Sequence, residues 1–125
     1  MVAKTHGKAT IGLLLRSVPY QQRSAREQLD FALTAAALEI PLRLYFQGAS
    51  VMQLIRERDS APARLPTGYR GWGSLTDLTE VHAHAEPEWL ELLSSNGFES
   101  LLDLRPMSVQ AMRVNLASCT RVLVL

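Results

Sequence analysis

The stretch Ile11-Gly12-Leu13-Leu14-Leu15 is apolar throughout and runs straight into the turn-forming Ser17-Val18-Pro19. A run so short, ended in this way, reads as a strand rather than a helix. Because successive strand side chains alternate between faces, a strand with no polar side is buried on both. Parallel sheets covered by helices on each face create that situation. The same signature recurs at Leu42 to Phe46 after Pro41, more weakly at Leu78 to Ala83, at Leu101 to Leu104, and at Thr120 to Leu125.

Helical segments fill the spaces between these runs. Ser24 with Glu27 three residues on forms a capping box, and Ala25 to Glu39 contains no Gly or Pro. Leu29, Ala32, Leu33 and Ala36 make one helical stripe, and Phe31, Ala35 and Leu38 a second beside it. So wide an apolar surface needs more cover than one sheet gives, from a subunit interface or from full burial. A short helix is expected over Val51 to Arg56, and residues 57–76 form a connector with at most a short helix around Tyr69 to Leu75. Pro87 opens a helix over Glu88 to Ser95 that stops at Asn96-Gly97. Ser108 caps a last helix to about Ala117, with Val109, Met112 and Leu116 inward. The order βαβαβαβαβ predicts one α/β domain over residues 9–125, a five-stranded, mainly parallel sheet with helices on both faces. Residues 1–8 read as a loose tail. Chemistry in such a sheet gathers beyond the strand C-termini, at Arg16 to Arg23, Gln47 to Ser50, His84 to Pro87 and Arg105 to Ser108.

Composition narrows the function classes. The 125 residues carry 13 basic and 12 acidic side chains, a net charge of +1, which gives no electrostatic reason to expect nucleic acid or a membrane as the main partner. One cysteine, Cys119, excludes an internal disulfide and a multi-cysteine metal site. No apolar run reaches the roughly 20 residues of a membrane span, and Met1 to Lys8 has no secretory apolar region. The cytoplasm is the expected compartment.

Several residues invite a chemical reading. His82 and His84 share a strand face, with Glu80 on it and Glu86 nearby, but no third ligand completes a metal spacing. The plainer reading is a pair that is exposed or hydrogen-bonded near a sheet edge or an interface. Cys119, between a helix end and the last strand, reads as a small inert hydrophobe. Arg56, Arg58, Arg64 and Arg70 read as a solvated loop, and Gly71-Trp72-Gly73 lacks the context of a phosphate loop. Trp72 and Trp89 read as packing residues, though an exposed Trp72 would anchor an interface. Helix-end electrostatics accounts for Glu27 and Asp30. No cofactor or metal is expected.

Three segments together resemble the TusC-like (DsrF-like) branch of the DsrE/DsrF sulfur-relay family. Arg26-Glu27-Gln28-Leu29-Asp30-Phe31-Ala32-Leu33 is similar to its R-E-x-L-D-x-x-L opening. Leu44-Tyr45-Phe46 with Val51-x-Gln53-Leu54 resembles its F-F-x-x-D-G-V-x-Q-L stretch, with Gln47-Gly48-Ala49-Ser50 lacking the acidic residue. Leu116 to Val124 resembles its L-x-x-Y-D-x-V-L-x close without the Tyr and Asp. The resemblance implies a hetero-oligomer with DsrE/TusD-like and DsrH/TusB-like subunits that passes persulfide sulfur towards tRNA 2-thiouridine or serves sulfur oxidation. It places the carrier cysteine of active members at Val81 to Ala85, where this chain has His84 as counterpart. A persulfide relay needs a thiolate, and imidazole does not hold sulfane sulfur in exchangeable form. The expectation is therefore a non-catalytic subunit with no catalytic residue of its own and no direct nucleic-acid contact. His82, His84, Glu86, Tyr20 and Trp72 are its candidate interface or pocket residues. The alternatives are a self-assembling DsrE-like protein that binds a small ligand, and a catalyst using His84 with Glu86, or Cys119.

Overall fold

The structure, a computed structural model, describes residues 9–16, 22–55 and 67–124. Its elements in chain order are β1 (Ile11–Leu15), α1 (Gln22–Ala37), β2 (Leu42–Phe46), 3₁₀ turns at Gly48–Leu54 and Thr67–Asp77, β3 (Val81–Ala85), α2 (Pro87–Ser95), β4 (Leu104–Pro106), α3 (Val109–Leu116) and β5 (Arg121–Val124). All four strand pairings are parallel, in the order β4-β3-β2-β1-β5. The first three crossovers step in one direction, and the last carries the chain back past β1. Right-handed crossovers then put α1 and α2 on one face and α3 on the other. The expected α/β sheet with helices on both faces is what the chain forms.

On the first face the register aligns Leu13, Leu44 and Ala83 in one row and Leu15, Phe46 and Ala85 in the next. Leu29, Ala32 and Ala36 of α1 and Leu93 of α2 complete this buried core. The connector supplies the extra cover that the wide apolar surface of α1 demands. Trp72 and Leu75 are buried, and the Trp72 ring meets Phe46 edge-on at 5.4 Å and 75°. A Cβ at Gly71 would lie 3.3 Å from Leu29 and 3.4 Å from Leu33, so this segment rests directly on the first stripe. Of the second stripe Ala35 is buried, while Phe31 and Leu38 stay exposed. Much of the cover that the sequence assigns to a subunit interface or to full burial thus comes from the connector.

Several boundaries differ from expectation. Helix α1 begins at Gln22, ahead of Ala25, and ends at Ala37. Glu39 closes it with φ 61°, and the Ile40 N–H reaches back to the Ala35 carbonyl at 3.1 Å. The segment expected as a helix over Val51 to Arg56 is the tighter Gly48–Leu54 turn. Strand β3 starts at Val81 rather than Leu78, because Leu78 folds into a turn whose N–H donates to the Leu75 carbonyl at 3.0 Å. Strand β4 starts at Leu104 rather than Leu101. Leu101 instead donates its N–H to the Leu54 carbonyl at 2.7 Å, and Leu102 enters the core from a loop. Apolar runs say that a segment is buried and not whether it is a strand. The Ser108 cap holds, its Oγ accepting from the Ala111 N–H at 3.1 Å, and Pro87 opens α2. Among the described residues, no helix is long and apolar enough to cross a membrane.

Candidate functional site

The second face of the sheet is where the polar residues collect. Strand β2 alternates, with Leu42, Leu44 and Phe46 on the first face, so Arg43 and Tyr45 point to the second. Register places Arg43 beside His82, and Tyr45 beside His84, which in turn lies beside Arg105. Among the described residues, only α3 covers this side, through Met112 and Leu116 over Tyr45, with Leu14 and Met107 against them.

His84 stacks on Tyr45 with ring centroids 5.0 Å apart and planes within 11°. Its Nδ1 lies 3.4 Å from the Leu44 carbonyl, which only accepts, so Nδ1 carries the proton and Nε2 keeps its lone pair. Burial lowers the His84 pKa from 6.5, and the neighbouring His82, Arg105 and Arg43 lower it further, against the opposing pull of the Leu44 hydrogen bond. The ring is neutral at pH 7. His82, two residues earlier, is exposed, and its Nε2 lies 2.7 Å from the Glu80 carboxylate. The shared face of the two histidines is thus as expected, but their environments differ.

At the end of the sheet where β1 starts, a network ties α3 to β2. Arg43 donates to Ser118 Oγ at 2.8 Å, and Ser118 donates to the Asn115 carbonyl at 2.7 Å. Tyr45 donates its hydroxyl to Asn115 Oδ1 at 3.2 Å. Burial raises the Tyr45 pKa from 10.0, as does the neighbouring Cys119, while Arg43 acts to lower it. Cys119 itself is half-buried, and its Sγ would lie 2.8 Å from a Cβ at Gly12. It sits at the start of β1 and β5, next to Tyr45 rather than at the exit of β3.

At the strand C-termini the loops close on one another. Gly48, at φ 58°, donates its N–H to Glu86 Oε2 at 2.5 Å. Glu86 therefore fixes a backbone turn rather than joining the histidines. Ser50, fully buried, donates to the Leu15 carbonyl at 2.8 Å. Gln53 Nε2 reaches Gln28 Oε1 at 3.4 Å, and the other amide atoms of this buried pair, Gln28 Nε2 and Gln53 Oε1, have no partner.

Trp72 is 1% exposed and is a core residue, which removes it from the candidate surface anchors. Trp89 is half-buried against the first-face core, a packing residue. Tyr20, Arg56, Arg58 and Arg64, and the side chains of Ser24 and Arg70, lie outside the described residues. Among the described residues, no group of three or more His, Cys, Asp or Glu is placed to hold a metal ion. Sequence reasoning passed over Arg43, Asn115 and the Gln28–Gln53 pair. The signal for Gln28 was available, since it lies four residues before Ala32 on the apolar stripe of α1.

No family model and no curated protein matches this chain. Among solved structures, the crystal structure of the ychN protein from E. coli matches with a TM-score of 0.66 and 12% identity, covering 94% of this chain and 99% of that one. Likeness at that identity is a likeness of fold, and with the sheet order described above it shows that this chain has a DsrE-like α/β fold.

Proposed function

We propose that this chain is a non-catalytic subunit of a TusBCD- or DsrEFH-like sulfur-relay hetero-oligomer, of the TusC-like branch. It works in the cytoplasm beside DsrE/TusD-like and DsrH/TusB-like partners, without contacting tRNA itself. One observation carries the reading. The exit of β3, where a carrier would need a thiolate, holds a buried, neutral imidazole stacked on Tyr45. The chain's one thiol, wedged against Gly12 at the start of β1, precedes β5 and does not lie on β3 or its exit. A thiolate accepts sulfane sulfur by attacking a donor persulfide and releasing the donor thiolate. His84 offers no counterpart to that exchange, so the chain assists a partner that carries the sulfur.

Mixing the purified chain with a cysteine-bearing relative from the same organism tests this directly. A stable complex in size-exclusion chromatography is expected. Mass spectrometry after a persulfide donor should then find the added sulfur on the relative and not on Cys119. Two separate species, or a sulfurated Cys119 competent to pass its sulfur on alone, would refute the proposal. The self-assembling alternative draws on a different feature, the exposed apolar strand β5, which requires no relative to cover it.

A further inference from the structure

Helix α3 covers the second face unevenly. Met112 and Leu116 lie over Tyr45 on β2, while His82 and Arg105, farther out on β3 and β4, are exposed. His84 sits at the boundary, stacked on Tyr45 and 9% exposed. Its Nδ1 proton goes to the Leu44 carbonyl, which leaves Nε2 as an acceptor with no partner among the described residues. Among those residues, the polar side-chain atoms that are both unpartnered and sealed from the surface belong to Gln28 and Gln53. His84 Nε2 is not one of them, so it remains reachable from outside.

The charged groups that act on this ring are all basic. Arg105 is its neighbour in the row, about 4.8 Å across the sheet, and His82 lies about 6.6 Å back along the same face of β3. Arg43 stands beside His82. Each of the three opposes a charge on His84, and no carboxylate supports one. The nearby carboxylates are engaged elsewhere. Glu80 pairs with His82, Glu86 accepts the Gly48 N–H, and Asp103 lines a groove between α2 and β4. On the side of α3 the ring meets Tyr45, with Met112 and Leu116 over it and the half-buried Cys119 beyond. Arg43 spends one N–H on Ser118, and Arg105 has no ion pair among the described residues. Guanidinium donors beside a lone imidazole acceptor suit a ligand that is anionic and also carries a proton to donate.

We propose that the second face binds a small oxyanion that keeps an O–H group, hydrogen phosphate, between His84 Nε2 and the Arg105 guanidinium, with Arg43 and His82 flanking it. Sulfate meets only half of the requirement, having no proton to give to Nε2. Monohydrogen phosphate meets both halves: its P–O–H donates to Nε2, and its charged oxygens accept from the Arg105 N–H groups. The shared proton rests on the phosphate or on Nε2, and in either position the complex holds one. Phosphate therefore brings that proton with it, whereas sulfate must recruit one from solvent. Bicarbonate also carries an O–H, but two arginines favour the double charge of hydrogen phosphate. A net charge of +1 on the whole chain hides this local field. The inference does not depend on the sulfur-relay reading, because it needs only the rows of the second face.

Titrating the full chain with inorganic phosphate, while following the His82 and His84 ring Cε1–H signals by NMR, tests it. Phosphate should shift the His84 signal saturably and by more than that of His82. Arg105→Gln and His84→Phe should each weaken binding by about tenfold or more, as expected for losing a hydrogen bond to a charged group. Arg113→Gln, on α3, should leave it unchanged. Arg105 and Arg113 are both exposed, so their variants should keep the wild-type circular dichroism spectrum. From about pH 7.5 to 8.5 the phosphate affinity should hold, while that of sulfate, which needs a proton from solvent, should fall about tenfold. Bicarbonate should bind more weakly than phosphate. The absence of a saturable His84 shift would overturn the proposal. So would equal losses in Arg105→Gln and Arg113→Gln, the mark of diffuse charge attraction. Parallel pH profiles for phosphate and sulfate, or bicarbonate binding above phosphate, would also overturn it.

Discussion

The two faces of one sheet are built from the same five strands and could hardly be covered more differently. The first is a dry layer in which rows of leucine, alanine and phenylalanine meet α1, α2 and the Trp72 connector, with the charged Arg121 only at its β5 rim, beside Ile11. The second has, among the described residues, a single short helix over it, and its rows contain Arg43, Tyr45, His82, His84 and Arg105. Burying a leucine stabilises by about 1.5–3 kcal/mol, whereas a buried hydroxyl or imidazole contributes net only when its partners are in place. Stability should therefore reside on the first face, and chemistry and pH sensitivity on the second.

The largest test of that division is Trp72→Ala. Removing a ring buried to 1% exposure against Phe46 should cost about 3–5 kcal/mol in chemical denaturation. A cost below about 1 kcal/mol would mean that the connector is not part of the core and that α1 finds its cover elsewhere.

Next comes Gly12→Ala, on the second face. The added methyl would meet Cys119 Sγ and Leu116 Cδ2 at 2.8 Å each, so α3 must shift. Overpacking of this kind costs about 1–3 kcal/mol. Combining it with Cys119→Ala should recover part of the loss, as the thiol is one of the two obstacles. Full tolerance of Gly12→Ala would show that α3 is loosely held.

How much of this was legible follows from the same contrast. The first face was readable because burial on both sides of β1 and the 3.6-residue stripe of α1 leave plain periodicities, and Leu29, Ala32 and Ala36 sit where those place them. Leu101 and Leu102 defeated the reading, since an apolar pair looks alike in a strand and in a buried loop. On the second face the shared side of His82 and His84 followed from a spacing of two. Their different burial did not, because it depends on Tyr45 and α3, which are distant in the chain. Trp72 carried no sign of its burial either, for it lies in a glycine-rich connector that has no repeat to align it.

The pH dependence of stability isolates His84 within the second face. Its folded pKa lies below the unfolded value of about 6.5. The unfolded chain therefore takes up the proton first, and stability, complete above that value, falls as pH drops below it towards the folded pKa. His84→Phe keeps a ring to stack on Tyr45 and should flatten this part of the curve. An unchanged slope would move the sensitivity to another group.

His82 supplies the smallest effect and the sharpest control, because it shares strand, face and side-chain type with His84. It differs only in cover, being exposed with a surface partner in Glu80. Exposed ion pairs contribute about 0–1 kcal/mol and are screened by salt. His82→Ala should thus change stability by less than about 1 kcal/mol, with that change shrinking as salt is added. His84→Ala removes a stacked ring, a contact worth about 0.5–1.5 kcal/mol beyond its burial, and its cost should be the same at any ionic strength. If the two alanine variants behaved alike, the stack on Tyr45 would contribute nothing, and α3 would no longer account for the difference between one row of the second face and the next.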